Sequence, residues 1–159
     1  MKRYRTTRRV RQNADDMFAL VADVERYPEF LPLCTRLAVT DRRAGEDGSE
    51  IVLADMTAAY KAFEESFTSR VTLLPAKNEI LVEYVDGPFR HLENRWTFRP
   101  LDDGACLIEF FIAYEFRSLA LQVLAGAVFD RAFRKFVSAF EERADSLRGA
   151  ALAPRRGQS

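Results

Sequence analysis

Few residues in this chain of 159 could carry out covalent or metal chemistry. There is one histidine, His91, which excludes an HExxH zinc motif and any mechanism that requires two histidines. His91 falls at an outward-facing position of a predicted strand, which favours solvent exposure over catalysis. Cys34 and Cys106 form no CxxC pair and lack the cationic sequence context that activates a thiolate, so we expect buried, reduced thiols. The sequence therefore predicts no catalytic residue and no metal site.

Glycine spacing and composition exclude further classes of protein. The seven glycines form neither a phosphate-binding loop nor a GxGxxG fingerprint, and no GxSxG motif is present. Hydrophobic residues make up 48% of the chain and charged residues 30%, which is typical of a globular domain. No apolar run reaches the roughly 18 residues of a membrane span, and no apolar segment of a secretory signal follows the first charges. We therefore expect a cytoplasmic protein with no cofactor.

Basic residues are concentrated at both ends of the chain. Six lysines and arginines precede the first acid, Asp15, and three arginines follow the last acid, Asp145. Such ends could bind anionic lipid or RNA phosphate. The alternative is a solvated first strand at one end and a frayed tail at the other. Composition does not distinguish these interpretations.

The hydrophobic period changes along the chain and predicts an α+β fold. Residues 4–12 alternate loosely like a strand, and two short helices follow, the second set apart by prolines within residues 25–34. Between residues 37 and 116 the period is two, interrupted by turns, which predicts about six antiparallel strands. A helix of about 30 residues then begins at Ser118 and ends at Gly149. We expect one domain over residues 1–149, with a curved sheet covered by the long helix, and a disordered tail over 150–159.

A strongly curved sheet can leave space beneath its covering helix, and such space is a natural ligand site. Two polar residues, Glu65 and Ser69, share the apolar parity of their predicted strand with Phe63, Phe67 and Val71. Glu65 either pairs with an arginine, is turned outward by a bulge, or anchors a ligand headgroup, because a carboxylate in an apolar cavity must be paired or protonated. The residues alone favour a solid core, since an apolar face does not by itself indicate a cavity.

Several motifs, in order along the chain, resemble the coenzyme-Q-binding branch of the START-like, helix-grip superfamily. They are YPEFLPLC at 27–34, FEESFTSRVTLLP at 63–75, GPFRHLENRWTF at 87–98, CLIEFFIAYEFRS at 106–118 and VSAFEERA at 137–144. That branch includes mitochondrial coenzyme Q chaperones and bacterial homologues described as ribosome-association toxins. The resemblance extends from about Tyr4 to Gly149, although Leu33 stands where the family often has an aromatic residue. It implies a START/Bet v1-like helix-grip fold.

The resemblance implies a non-catalytic carrier of ubiquinone, or a related isoprenoid lipid, that supports respiratory electron transport. Burying an isoprenoid tail is favourable by about 0.8 kcal/mol per CH₂, so an apolar cavity suffices. The expected partners of a quinone oxygen are Tyr60, Glu65, Ser69 and Tyr114. The expected ligand-binding residues are Phe30, Leu31, Pro32, Tyr60, Phe63, Glu65, Phe67, Ser69, Val71, Phe89, Leu92, Trp96, Phe110, Ile112, Tyr114 and Phe116. The expected helical lid is Leu119, Val123, Leu124 and Ala127.

Alternatives to the carrier remain. In the carrier hypothesis the basic segment 2–11 binds transiently to the anionic inner face of the membrane, and residues 28–33 act as a gate. A second hypothesis places the same basic segment on RNA phosphate, in a toxin-like protein that binds the large ribosomal subunit and inhibits translation. A third, from fold analogy, is a cyclase or aromatase in which Glu65 acts as acid or base. We expect a monomer that does not bind DNA.

Overall fold

The computed structural model describes residues 1–61 and 63–152. Its elements follow the predicted order of one strand, two short helices, a run of strands and a C-terminal helical segment. The strands are β1 (Lys2–Val10), β2 (Cys34–Ala44), β3 (Glu50–Tyr60), β4 (Phe63–Leu74), β5 (Glu79–Asp86), β6 (Phe89–Pro100) and β7 (Cys106–Phe116). The α-helices are α1 (Ala14–Ala22), α2 (Leu119–Arg134) and α3 (Phe136–Leu152), and a 3₁₀ helix spans Val24–Glu29. No helix within these described ranges is both long and apolar enough to cross a membrane.

The strands form one antiparallel sheet in the order β1-β7-β6-β5-β4-β3-β2. Strands β2 to β7 are neighbours in both chain and sheet, and β1 returns to pair with β7. The pairing shifts register at Cys34–Arg36, at Thr68–Ser69 and at Phe89–His91. Such irregularities bend a strand and increase its twist, so the sheet curves around the helices. The predicted α+β helix-grip architecture is confirmed.

Strand alternation places the core on the concave face of the sheet. Along β6, Leu92, Trp96 and Phe98 are buried, whereas Arg95 is exposed. Trp96 lies opposite Phe110 of β7, and their ring centroids are 4.7 Å apart. Full burial of such a side chain is favourable by about 1.5–3 kcal/mol, so this aromatic face is a major source of stability.

Helix α1 begins at a side-chain cap and is held to the sheet by one apolar face. Asn13 is this cap, because its Oδ1 accepts a hydrogen bond from the backbone N–H of Asp16 at 2.8 Å. Asp15 and Asp16 lie in the first turn, where carboxylates interact favourably with the helix dipole. Met17 and Val21 are fully buried. The helix therefore fixes the start of the 3₁₀ segment that follows it.

The C-terminal segment differs from the single helix predicted. Ser118 is the cap, as expected, because its Oγ accepts a backbone N–H hydrogen bond at 3.3 Å. The helix is interrupted at Lys135, whose N–H donates to the carbonyl three residues earlier at 3.0 Å, in a tighter, 3₁₀-like turn. Phe133 and Phe136, on either side of this turn, have ring centroids 5.2 Å apart. The turn thus keeps both rings together against the sheet.

The helix also continues past Gly149, its predicted end, to Leu152. A glycine inside a helix costs about 1 kcal/mol relative to alanine, and neighbouring helix-forming residues can offset that cost. Of the tail predicted over 150–159, residues 150–152 are helical, and residues 153–159 lie outside the described residues.

Candidate ligand-binding cavity

A cavity of about 80 Å³ lies between the concave face of the sheet and the C-terminal helices. The sheet, the segment from the 3₁₀ helix to β2, and helices α2 and α3 enclose it. The lining residues are Val24, Tyr27, Leu31, Pro32, Leu33, Cys34, Leu37, Ala54, Met56, Ala58, Phe67, Ser69, Val71, Val82, Leu92, Asn94, Trp96, Ile112, Phe129, Ala132, Phe133, Phe136 and Phe140. Within the described residues this lining contains no carboxylate, lysine, arginine or histidine, so it suits an apolar ligand.

Small side chains on β3 leave room for the cavity. Ala54 and Ala58 are buried on the concave face and carry only a methyl group each. Phe67 and Val71 of β4 continue this wall beside them. Cores normally pack without such gaps, and the rigid backbone of a sheet does not close around a missing side chain. The cavity therefore follows from alanine at these β3 positions.

Aromatic side chains of the two C-terminal helices form the opposite wall. Phe129 and Phe133 lie one turn apart on α2, and Phe136 and Phe140 continue the wall on α3. Phe140 packs edge-on against Trp96, with ring centroids 5.1 Å apart. Such edge-to-face pairs contribute about 0.5–1.5 kcal/mol beyond burial of their area. Aromatic contacts thus hold the helices against the sheet.

The third wall is the segment over residues 24–33, which comprises the 3₁₀ helix and the residues that join it to β2. The hydroxyl of Tyr27 donates to the carbonyl oxygen of Val21, and burial raises the pKa of Tyr27 well above its ordinary value. Leu33 has a φ of +68°, a left-handed conformation that costs a non-glycine residue about 1–2 kcal/mol. Surrounding contacts must hold such a residue in place, and strain of this kind often accompanies ligand sites.

Ion pairs on the outer side tether this third wall. Arg42 of β2 pairs with Glu25 at 2.8 Å. Arg143 of α3 pairs with Glu29, and its guanidinium lies 5.2 Å from the ring centroid of Phe30. Exposed ion pairs contribute about 0–1 kcal/mol each, so these tethers hold the segment only weakly.

Most polar groups in the lining are already bonded within the protein. Asn94 Oδ1 accepts from Trp96 Nε1 at 2.8 Å, and Asn94 Nδ2 donates to the carbonyl oxygen of Phe111 at 2.8 Å. Ser69 is buried and lines the cavity, and its hydroxyl can donate to a ligand oxygen. Its cross-strand partner Tyr84 has a buried hydroxyl that lacks a partner in the described part of the chain, but Tyr84 does not line the cavity.

The residues predicted from the sequence to bind ligand fall into several groups. Those that line the cavity are Leu31, Pro32, Phe67, Ser69, Val71, Leu92, Trp96 and Ile112. Those that pack in the surrounding core are Phe30, Phe63, Phe89, Phe110, Tyr114 and Phe116.

The predicted hydrogen-bonding residues are mostly outside the lining. The hydroxyl of Tyr114 is committed to the carbonyl oxygen of Gly126 at 3.3 Å. Tyr60 is 40% exposed at the end of β3. Glu65 is half-buried with the concave parity of β4, but it does not line the cavity. Of the predicted quinone partners, Ser69 is the one in the lining.

The structure corrects the predicted helical lid. Its residues face solvent rather than the cavity, namely Leu119, Val123, Leu124 and Ala127. The buried face of α2 instead carries Ala125, Phe129 and Phe133. Residues 119, 123 and 127 are each six positions from residues 125, 129 and 133, so the two stripes lie about 120° apart around the helix. Both stripes are apolar at helical spacing, and the prediction followed the exposed one.

Sequence reasoning missed Asn94 and most of the helical aromatic wall. Asn94 shares the inward parity of Leu92 and Trp96 on β6, so strand alternation could have identified it. Phe129 and Phe133 are four residues apart, so helical spacing could have placed them on one stripe, although it does not show that this stripe is the buried one.

The two cysteine thiols lie in surroundings that disfavour the thiolate form. Cys34 and Cys106 are free and buried, as predicted, and burial raises the pKa of each thiol to about 11. Both are therefore protonated near neutral pH. His91, predicted to be exposed, is half-buried on β6. Within residues 1–61 and 63–152, no group of three or more His, Cys, Asp or Glu could hold a metal ion.

Known proteins resemble this chain over nearly its whole length. The ribosome association toxin RatA of Vibrio cholerae serotype O1 is 34% identical over 94% of this chain and 99% of its own length. The coenzyme Q-binding protein COQ10 homolog B, mitochondrial, of Xenopus laevis is 30% identical over 88% of this chain and 57% of its own length. The solution structure of the 18 kDa protein CC1736 from Caulobacter crescentus has a TM-score of 0.76 at 34% identity, covering 94% of this chain and 99% of that one.

A family assignment follows from similarities of this extent. Residues 10–141 match the family described as polyketide cyclase / dehydrase and lipid transport. The START-like resemblance indicated by the sequence motifs is thereby confirmed. With most of its length matched and with relatives above 30% identity, the chain belongs to the polyketide cyclase / dehydrase and lipid transport family.

Proposed function

We propose that the protein binds ubiquinone, or a related isoprenoid lipid, in the cavity and carries it unchanged. The observation that carries this proposal is an internal cavity whose described lining is apolar apart from a few hydroxyl, amide and thiol groups. Sites for apolar small molecules usually combine such a lining with a few polar groups. No acid or base belongs to the described lining, which favours a carrier over a cyclase. The relative named as coenzyme Q-binding supports the choice of a quinone.

Binding requires the cavity walls to separate. The cavity volume of about 80 Å³ is well below that of sites for drug-sized ligands, which measure roughly 300–1,000 Å³. The ligand must therefore displace either the weakly tethered segment over residues 24–33 or helix α2. Each CH₂ of the tail that enters contributes about 0.8 kcal/mol, which can offset the cost of opening.

The quinone ring has a favourable position near Ser69. A quinone oxygen is an acceptor, and the hydroxyl of Ser69, a buried residue of the lining, is a donor. Tyr84, across the strands from Ser69 and outside the lining, has a buried hydroxyl without a partner among the described residues. We expect one or both hydroxyls to donate to the ring, and the tail to extend along the helical aromatic wall.

Mass spectrometry of an organic extract tests the carrier function, using protein purified from a ubiquinone-producing host. Ala132→Leu adds three carbon atoms at a buried lining position of α2, whereas Ala19→Leu adds the same atoms at an exposed position of α1. We expect near-stoichiometric ubiquinone in wild type and in Ala19→Leu, and about tenfold less in Ala132→Leu because the space is filled. Equal content in the two variants would reject the cavity as the site. An empty wild type that also fails to bind added short-chain quinone would reject the carrier function.

Association with the large ribosomal subunit is a second candidate. The relative named ribosome association toxin aligns with 94% of this chain. At the N-terminal end, Arg9 and Arg11 are paired with carboxylates, whereas Lys2, Arg3 and Arg5 form no ion pair with the described residues. Unneutralised cations on one strand can bind RNA phosphate.

Co-sedimentation with ribosomal subunits tests this second candidate. Binding should fall steeply with salt, because each phosphate contact releases counterions. Arg3→Gln with Arg5→Gln should weaken binding, whereas Arg9→Gln with Arg11→Gln should have less effect because those two arginines already have carboxylate partners. No co-sedimentation of wild type at low salt would reject the candidate.

A further inference from the structure

The most exposed large apolar side chains of the described residues lie on the outer face of α2. Leu119, Val123 and Leu124 are 83%, 82% and 71% exposed, and Ala127 beside them is exposed as well. Residues 119–129 carry no charge. A contiguous apolar patch on a protein surface usually marks an interaction site. This face of α2 therefore requires an explanation beyond packing of the core.

The β3–β4 turn, of which Tyr60, Lys61 and Phe63 are described, extends the same surface. A groove of about 250 Å³ lies between Tyr60, Lys61 and Phe63 on one side and Leu124 and Val128 on the other. Tyr60 is 40% exposed, and the Lys61 ammonium lies 5.3 Å from its ring centroid. A tyrosine and a lysine that border an apolar surface can place their polar ends among lipid headgroups while their apolar parts stay buried.

Cations border this surface. Lys61 lies at the turn, and Arg117 and Arg131 flank the uncharged stretch of α2, all three of them exposed. The acids Glu64 and Asp130, which are next to the turn and to the helix face in sequence, are each paired with an arginine, and half-buried Glu65 is one further acid against the three cations. The net local charge is therefore positive, which complements an anionic membrane surface.

We propose that the outer face of α2, together with the β3–β4 turn, docks onto an anionic lipid bilayer, and that ligand exchanges with the bilayer there. This inference deepens the proposed carrier function and rests on it, because docking serves a carrier that exchanges its ligand with the bilayer. The opposite face of α2 carries Phe129, Ala132 and Phe133 of the cavity lining, so this helix is the wall between bilayer and cavity. A long hydrogen bond, from Tyr114 to the Gly126 carbonyl oxygen at 3.3 Å, joins its middle to the sheet.

A bilayer fits this surface better than a protein partner does. Protein interfaces surround an apolar centre with directional polar contacts. The outer face of α2 offers aliphatic side chains, and between the cap Ser118 and Asp130 the one polar side chain is Gln122. A fluid lipid surface needs no fixed hydrogen-bond partners, and its acyl region accepts aliphatic side chains in any arrangement.

Vesicle co-sedimentation of the full chain tests the docking surface. The vesicles are phosphatidylcholine alone, or phosphatidylcholine with about 30% phosphatidylglycerol, which adds the negative charge. We expect wild type to bind the anionic vesicles more strongly, and Leu124→Glu or Val123→Glu to reduce that binding about tenfold. Leu147→Glu is the matched control, because Leu147 is a 48% exposed leucine on α3 that lies beside Asn13 and Asp16 of the N-terminal region rather than in the groove at α2. Circular dichroism verifies that each variant is folded.

Several outcomes would overturn the proposal. They are absence of wild-type binding to anionic vesicles, equal binding by Leu124→Glu and wild type, and loss of binding in Arg3→Gln with Arg5→Gln but not in Leu124→Glu. A wild-type dimer that Leu124→Glu converts to a monomer would instead identify the face as a contact between two copies. Binding of added short-chain quinone separates this proposal from the carrier function. Leu124→Glu should bind that quinone as wild type does, because Leu124 does not line the cavity, while losing vesicle binding. A wild type that binds vesicles but neither contains ubiquinone nor binds added short-chain quinone would reject the carrier function alone.

Discussion

Trp96 donates its indole N–H to the side-chain oxygen of Asn94 at 2.8 Å, and both residues line the same cavity. They lie two positions apart on β6, so strand alternation directs both side chains to the concave face. The Asn94 amide also bonds the carbonyl oxygen of Phe111 on β7. A single asparagine thus satisfies the one polar atom of the indole and links two strands at the cavity wall.

Replacing Asn94 with alanine should destabilise the protein. The indole N–H of Trp96 would remain in an apolar cavity without its acceptor, which costs about 1–3 kcal/mol. Urea unfolding followed by circular dichroism measures the loss. In a Trp96→Phe background the indole donor is absent, so the further cost of Asn94→Ala should be smaller. Additive losses in the double variant would show that the hydrogen bond is not the source of the effect.

Strand β6 and helix α2 show how far sequence patterns determine this site. A strand has two faces, so alternation of Leu92, Trp96 and Phe98 with polar residues determines which side chains are buried. A helix with two apolar stripes does not reveal which of them packs. On α2 that choice depends on Phe129 meeting Phe63 of the distant strand β4, at a centroid distance of 5.6 Å. Long-range contacts of this kind are invisible to local periodicity.

The cavity itself was predictable only through family resemblance. Its volume of about 80 Å³ depends on the distance that the curved sheet leaves between small residues, such as Ala54 and Ala58, and the facing helices. Alternation gives the direction of each side chain, but not the distance across to the facing helix. The order of elements and the inward faces of the strands therefore follow from the sequence, whereas the enclosed space and its helical wall do not.

Gly87 should not tolerate alanine. Its φ is +140°, and a Cβ there would lie 2.6 Å from the Cβ of Phe67, a cavity-lining residue. We expect Gly87→Ala to lower the free energy of unfolding by more than about 2 kcal/mol, since the backbone strain and the clash add together.

Gly104→Ala is the control for this substitution. Gly104 has a φ of +83°, but no atom lies within 4 Å of a Cβ built there. Only the strain of about 1–2 kcal/mol should remain. Equal losses in the two variants would mean that the contact with Phe67 relaxes freely.

The buried thiols should make the protein less stable in alkali. Burial raises the pKa of Cys34 and of Cys106 from an ordinary value of 9.0 to about 11. Above about pH 9 the unfolded chain releases these protons first, so stability should decline as pH rises toward about 11. The urea midpoint measured at about pH 8 and about pH 10.5 gives the change. Replacing Cys34 with alanine should reduce the difference between the two midpoints, and an unchanged difference would assign the alkaline loss to other groups.

Arg143 should control how often the segment from the 3₁₀ helix to β2 opens. It pairs with Glu29 and lies over the ring of Phe30, so Arg143→Ala removes two contacts that hold this wall of the cavity. Together they are worth about 1 kcal/mol, which corresponds to several-fold faster amide exchange in residues 24–33.

Arg134→Ala separates this local effect from a general loss of arginine contacts. Arg134 also combines an ion pair, to Asp130 at 3.0 Å, with a ring contact, to Tyr4 at 4.6 Å, but it does not contact the segment. Its replacement should leave exchange in residues 24–33 unchanged.

Quinone entry, measured by quenching of Trp96 fluorescence, shows which wall of the cavity opens. If Arg143→Ala accelerates both amide exchange in residues 24–33 and quinone entry, then the segment is the wall that admits ligand. Faster exchange without faster entry would leave α2 as the wall that opens, because the remaining wall is the hydrogen-bonded sheet.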